Sequence, residues 1–332
     1  MLNFLHDLPV LAIDSQEVNT KGADNRQKNL SRKWTALEKR AQDRKDGKVP
    51  PTRKQKLKLR NTEADFQSLK SSTEERNIKL STRYIEDGTD LGAIVRENFS
   101  DFSDRMGIIG LHTCGNLTPS SLKIFFSSES AKFICNVGCC YHNLEEEFYT
   151  NPFLEPGAEP TIPGFPVSRV LRDRQYWLGR NARLLASQPL SRLAEKGNLP
   201  NRSLIWRAIL QVIMKENIAD LTFADHQVGR LAAKSTDFLD YARRAIVKIG
   251  KPVDITDDRI LQYYDEYMPR YERKLNCFYQ YRSLFAPLVE GIVLLDRLLY
   301  LEDHPATASA SVLRLFDPGV SPRCYALIAS KS

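Results

Sequence analysis

MGIIGLHTCG (106–115) and AKFICNVGCCYH (131–142) decide the fold. Each is an apolar run of strand length that ends in residues able to do chemistry. His112, Cys114 and Gly115 follow the first run; Gly138, Cys139, Cys140, Tyr141 and His142 follow the second. Between them, NLTPSSLKIFFSS reads as a helix with Pro119 near its first turn. Strand–helix–strand alternation with nearly continuous apolar strands predicts a parallel sheet covered on both faces. The carboxyl ends of neighbouring parallel strands open into one crevice, so the two polar clusters are expected to meet.

The same alternation extends outward. LPVLAID (8–14) reads as a short buried strand ending in Asp14, with a helix-like run behind it. A carboxylate at a strand end matches the vicinal diol of a ribose, and it serves equally well as a helix cap or a solvated loop acid. TRYIE (82–86) reads as another strand with Asp87, Thr89 and Asp90 just beyond it, and LGAIVREN (91–98) as a short helix. From residue 151 the pattern turns helical, with helices expected over 204–213, 238–249, 258–274 and 277–301 and a break near Pro287. Ser235 and Thr236 are the cap candidates for the second of these, and Gly250 is its stop. SVLRLFDP (311–318) and RCYALIAS (323–330), separated by turn residues, predict a terminal hairpin.

Composition narrows the classes. The chain has 332 residues, 42% hydrophobic and 27% charged, which suits one large or two small globular domains. Its longest apolar stretch, Leu284 to Tyr300, carries Glu290, Asp296 and Arg297, so no membrane span is expected. The N-terminus has no basic leader before its apolar residues and does not read as a secretory signal. Six cysteines, two of them adjacent, do not form a disulfide framework. The expectation is an intracellular chain, cytoplasmic or nuclear, with free thiols.

The net charge of +7 is concentrated. Residues 21–80 hold 18 Lys and Arg against 8 Asp and Glu, while the remainder holds 30 against 33. Residues 36–80, with Pro50–Pro51 and RKQKLKLR (53–60), have too few apolar groups to offset chain entropy and read as a basic disordered insertion. As an electrostatic arm, segment 21–80 would take RNA as its partner; the plainer alternative is a solvated loop. Phe66 is the one aromatic in 36–80, which argues against a base-stacking platform there.

The strand-end residues admit several chemistries. Cys114, Cys139, Cys140 and His142 are soft ligands of the kind zinc takes. However, adjacent residues on a strand point to opposite faces and no CxxC pair exists, so no metal is assigned. A nucleophilic cysteine with a histidine base lacks an identified orienting acid. A crevice lined for a cofactor and an acceptor, or simply small buried residues, complete the alternatives.

Four strings carry a family resemblance: GLHTCGNL (110–117), ICNVGCCYHNLEEEF (134–148), GRNAR (179–183) and LFDPGVSPRCYALIAS (315–330). They resemble the methyltransferase-like protein 25 family, predicted class I S-adenosylmethionine-dependent methyltransferases. A weaker similarity links them to eukaryotic tRNA 2′-O-methyltransferases with HLCG and CCH motifs, which suggests RNA as substrate class. The resemblance implies an α/β, Rossmann-like sheet with a core of residues 1–35 and 81–150, the basic insertion at 36–80, a helical insertion at 151–308 and a hairpin at 309–332 completing the sheet. It implies S-adenosylmethionine as cofactor. It places Asp14 on the ribose, Asp87 or Asp90 beside the adenine, and Cys114 and Gly115 on the cofactor. Cys139 and Cys140 fall on the acceptor side, and His112, Tyr141 and His142 become the catalytic candidates. Methyl transfer of this kind draws most of its rate from alignment, with an imidazole base where the acceptor must lose a proton.

One departure matters. The family pattern opens with a strand and a Gly-rich loop, but no two of the 16 glycines here are separated by a single residue. Class I methyltransferases order their strands 3-2-1-4-5-7-6, so the strand not found is the central one. The expectation is a sheet incomplete at its N-terminus, with unpaired edges on strands 2 and 4. The competing function is a non-enzymatic RNA- or protein-binding relative that has lost the cofactor.

Overall fold

The structure is a computed structural model that describes residues 2–47, 77–102, 104–148, 163–188, 202–218 and 228–332. It divides into two compact units, Met1–Arg105 and Met106–Ser332.

The first unit contains α1 (Leu2–His6), β1 (Val10–Asp14), α2 (Glu17–Lys45), β2 (Ile78–Thr82) and α3 (Leu91–Asn98). β1 and β2 pair in parallel, from Val10 opposite Ile78 to Asp14 opposite Thr82. The Thr20 and Thr82 hydroxyls, 2.7 Å apart, fasten α2 to the end of β2. Two of its elements differ from the sequence reading. Residues 36–45, expected in a disordered insertion, continue α2. They are mostly strong helix formers, and the helix carries i,i+4 pairs from Glu17 to Lys21 and from Asp24 to Lys28. β2 ends at Thr82, where the strand was expected to begin, because Ile78 and Leu80 supply the inward alternation. The run RKQKLKLR and Phe66 lie outside the described residues.

The second unit is built on β3 (Met106–Thr113), α4 (Leu117–Ser127), β4 (Ala131–Gly138), β5 (Thr307–Arg314) and β6 (Tyr325–Lys331). Its sheet runs β3-β4-β6-β5. β3 and β4 are parallel, and β6 pairs antiparallel with both β4 and β5. With β3 taken as strand 4, this is the 4-5-7-6 half of the expected order; β2 and β1 correspond to strands 3 and 2. Among the described residues, β1 pairs only with β2 and β3 only with β4, so each has one edge without a ladder partner.

α4, β4, β6 and α10 (Ala286–Glu302) close one core of Leu122, Phe125, Ile134, Leu301 and Leu327. β3 is less covered than its apolar sequence predicts: Ile109 and Leu111, two residues apart on one face, are 57% and 55% exposed.

Among the described residues, five further α-helices lie between β4 and α10: α5 (Arg169–Arg172), α6 (Arg180–Ala186), α7 (Ser203–Asn217), α8 (Phe238–Ile249) and α9 (Asp257–Ser283). α7, α8 and α9 make a separate apolar cluster around Trp206, Ile209, Ile213, Tyr241 and Ile260. Asp237, rather than Ser235 or Thr236, caps α8 through the Asp240 N–H, and Gly250 ends it with φ +73°. α9 runs through Pro269 to Ser283, beyond the expected end at 274. The break falls at Leu284–Phe285, because Pro287 fits the first turn of α10, where no N–H is needed. No helix among the described residues is long and apolar enough to cross a membrane.

Candidate functional site

β3 and β4 deliver their ends side by side. Beyond β3, the Cys114 N–H donates to the His112 carbonyl, and Gly115 adopts φ +54°. A Cβ at Gly115 would stand 2.8 Å from the Asn143 carbonyl oxygen, so only glycine lets the two turns approach this closely. Beyond β4, residues Tyr141–Asn143 form a single 3₁₀ turn. Asn116 and Glu145 lock the turns together reciprocally. The Asn116 amide donates to the Glu145 carboxylate at 3.0 Å, and the Glu145 N–H donates to Asn116 Oδ1 at 3.0 Å.

This approach brings three thiols into one cluster. Cys140 Sγ lies 3.5 Å from Cys114 Sγ and 3.6 Å from Cys139 Sγ, and all three sulfurs lie within 4.8 Å of one another. The opposite-face argument does not apply because β4 stops at Gly138, and Cys139 and Cys140 occupy the turn beyond. Burial pushes all three thiols above their ordinary range; the Cys140 side chain adds to this at Cys114 and the Cys139 side chain opposes it there, while Arg323 opposes it at Cys139 and Cys140.

The histidines differ. His112 is exposed at the end of β3. His142 is partly buried, and its Nδ1 has no hydrogen-bond partner among the described residues. Burial holds its pKa below the usual imidazole value, helped by the positive charges of Arg180, Arg183 and Arg323. The ring is therefore neutral at physiological pH and able to accept a proton.

Tyr141 turns into the core. Its hydroxyl donates to Glu290 at 3.1 Å, and the guanidinium groups of Arg297 and Arg323 lie 5.5 and 5.7 Å from its ring centre. Burial raises its pKa, with the Glu290 carboxylate adding to the shift, so the phenol stays protonated.

The supporting residues were not singled out as site residues in the sequence, although GRNAR and LEEEF contain them. Arg183 forms a buried ion pair with Glu146 and donates to the backbone carbonyls of Tyr141 and Leu144. Glu146 also accepts from the Leu178 and Gly179 N–H groups at 3.0 and 3.1 Å. Thr113, Thr118 and Asn136 form a buried hydroxyl–amide cluster under the strand ends. Alternating apolar residues gave no hint of it.

The three acids belong to the first unit. One oxygen of Asp14 accepts from the Gln16 N–H at 2.8 Å and from the Asn19 amide at 3.1 Å. Its other oxygen has no partner among the described residues, which leaves an acceptor for a ribose hydroxyl. Asp90 caps α3 through the Ala93 N–H at 2.9 Å, so its structural role is already filled. Asp87 is partly buried in the turn between β2 and α3.

Comparison with known proteins bears on these observations. Residues 1–147 match a methyltransferase domain family. The chain is similar to the probable methyltransferase-like protein 25 of Homo sapiens, 40% identical over 288 residues that cover 85% of this chain and 46% of the human protein. It is similar to the mouse protein of the same name, 40% identical over 225 residues covering 68% of this chain and 37% of that protein. The chain thus aligns with less than half the length of these relatives. No solved structure matches. The domain match and the mixed α/β sheets make this a class I methyltransferase-like fold. The chain belongs to the methyltransferase-like protein 25 family.

Proposed function

We propose that this chain is an S-adenosylmethionine-dependent methyltransferase domain with RNA as its acceptor class. The observation that carries the reading is the match of residues 1–147 to a methyltransferase domain, which ends just past the turn that holds Cys139–His142. The family generally uses S-adenosylmethionine, which when bound supplies a methyl group on a sulfonium. Within the first unit, Asp14 offers to a ribose hydroxyl the oxygen that has no partner among the described residues, and Asp87 stands for the adenine side. Asp90 acts by setting the start of α3.

Within the second unit, the turns of Cys114–Gly115 and Cys139–Cys140 line the strand ends. His142, kept neutral by burial and nearby cations, accepts the proton of an acceptor hydroxyl or amine at a ring nitrogen. His112, exposed on β3, is the second candidate for that step. Tyr141 is a positioning residue, because its hydroxyl is engaged by Glu290.

Calorimetry of the 332-residue chain with S-adenosylmethionine, and in parallel with S-adenosylhomocysteine, tests the cofactor. Micromolar binding that weakens in D14N supports the reading; a folded chain that binds neither compound sinks it. The acceptor class rests on the excess of basic residues in 21–80. Replacing the Lys and Arg of RKQKLKLR by Gln should flatten the salt dependence of RNA binding. An unchanged slope would remove the arm from the reading.

A further inference from the structure

We propose that Cys114, Cys139 and Cys140 form a binding site for a soft divalent cation of the zinc type. The inference goes beyond the methyl-transfer reading: it uses only sulfur atoms and holds whether or not a cofactor binds.

The geometry carries it. With a zinc–sulfur bond of about 2.3 Å, two thiolates of a tetrahedral site stand about 3.8 Å apart. The three sulfurs here lie at 3.5 and 3.6 Å from one to the next and within 4.8 Å overall, which brackets that edge. One ion can therefore touch all three with small side-chain rotations. A disulfide would use two sulfurs and leave the third aside.

The site is also held in place before any ion arrives. Gly115 permits the close approach of the two turns. The reciprocal Asn116–Glu145 hydrogen bonds tie the turns together. Arg183 and Glu146 anchor the residues just beyond His142 from beneath. Positioning from a supporting shell is what lets a metal site form without local refolding.

The donor set selects the ion. Among the described residues no histidine or carboxylate joins the three thiols. All-sulfur ligation favours thiophilic ions over magnesium or calcium. Three protein ligands leave a fourth position open to an outside ligand, as in zinc sites that do chemistry rather than only hold structure.

Cobalt is the probe. The full chain, reduced and metal-free, should bind one Co²⁺ per molecule and develop the thiolate-to-cobalt charge-transfer band with the visible bands of a tetrahedral centre. Zinc should abolish both. C114S and C140S should each lose most of the charge-transfer intensity, and C277S, which removes an exposed cysteine outside the cluster, should keep it. A variant-free measurement guards against misfolding. Cys114 and Cys277 are both exposed, so zinc should slow alkylation of Cys114 severalfold and leave Cys277 unaffected. The proposal is overturned if a folded chain binds no cobalt, if the bands survive in C114S and C140S, or if Cys114 alkylates at the same rate with and without zinc. A Cys114–Cys140 disulfide recovered in place of the metal complex would overturn it too.

Discussion

Arg183 on α6 pairs with Glu146 beyond β4, and both side chains are buried. The pair joins the helical region to the strand end that carries Cys139, Cys140 and His142, since the same guanidinium also holds the Tyr141 and Leu144 carbonyls.

Breaking that pair should be costly. R183M leaves the Glu146 carboxylate buried with only backbone N–H partners. The expected loss is about 3–5 kcal/mol of unfolding free energy, read from urea titration. A loss under about 1 kcal/mol would mean that water reaches Glu146 in the variant.

Gly115 should not tolerate a side chain. At φ +54° a Cβ would meet a backbone carbonyl oxygen at 2.8 Å, and backbone cannot rotate away as a side-chain tip can. G115A is expected to cost about 1–3 kcal/mol. It should also separate the turns, seen as faster alkylation of Cys139 and Cys140. Unchanged stability and reactivity would show that the close approach is dispensable.

Tyr241 points the other way. It is fully buried in the helical core, its hydroxyl has no partner among the described residues, and burial pushes its pKa up to about 12. Y241F removes a desolvated polar group and keeps the ring. The variant should be more stable by about 1 kcal/mol in thermal or urea unfolding. A clear loss of stability would reveal a hydrogen bond to that hydroxyl.

Glu290 should leave a mark on the pH dependence of stability. Burial raises its pKa above 4.5, against the opposing effects of Arg323 and the Tyr141 hydroxyl. The folded chain therefore holds this proton to higher pH than the unfolded chain. Stability from this group is greatest below the unfolded value and declines as pH rises through the folded one. In E290Q that decline is absent. The stability of the native chain relative to E290Q should thus be higher at pH 4.5 than at pH 7; equal differences at both would place the Glu290 pKa at its ordinary value.

Much of this protein could be read from local sequence. The apolar runs before His112 and Cys139, with a helix between, are enough to specify β3, α4 and β4, because strand and helix periods are properties of short segments. Gly250 marked a helix end for the same reason. The four family strings pointed to the methyltransferase-like relatives that the comparisons returned. Tertiary structure decided the rest. Alternation along a strand separates Cys139 from Cys140, but β4 ends one residue before them, and the turn then aims both sulfurs at Cys114. Strand termination depends on where ladder partners run out, which no local pattern records. The burial of Tyr141 and the pairing of Arg183 with Glu146 depend likewise on helices far along the chain, and packing across such separations is fixed only when the chain folds.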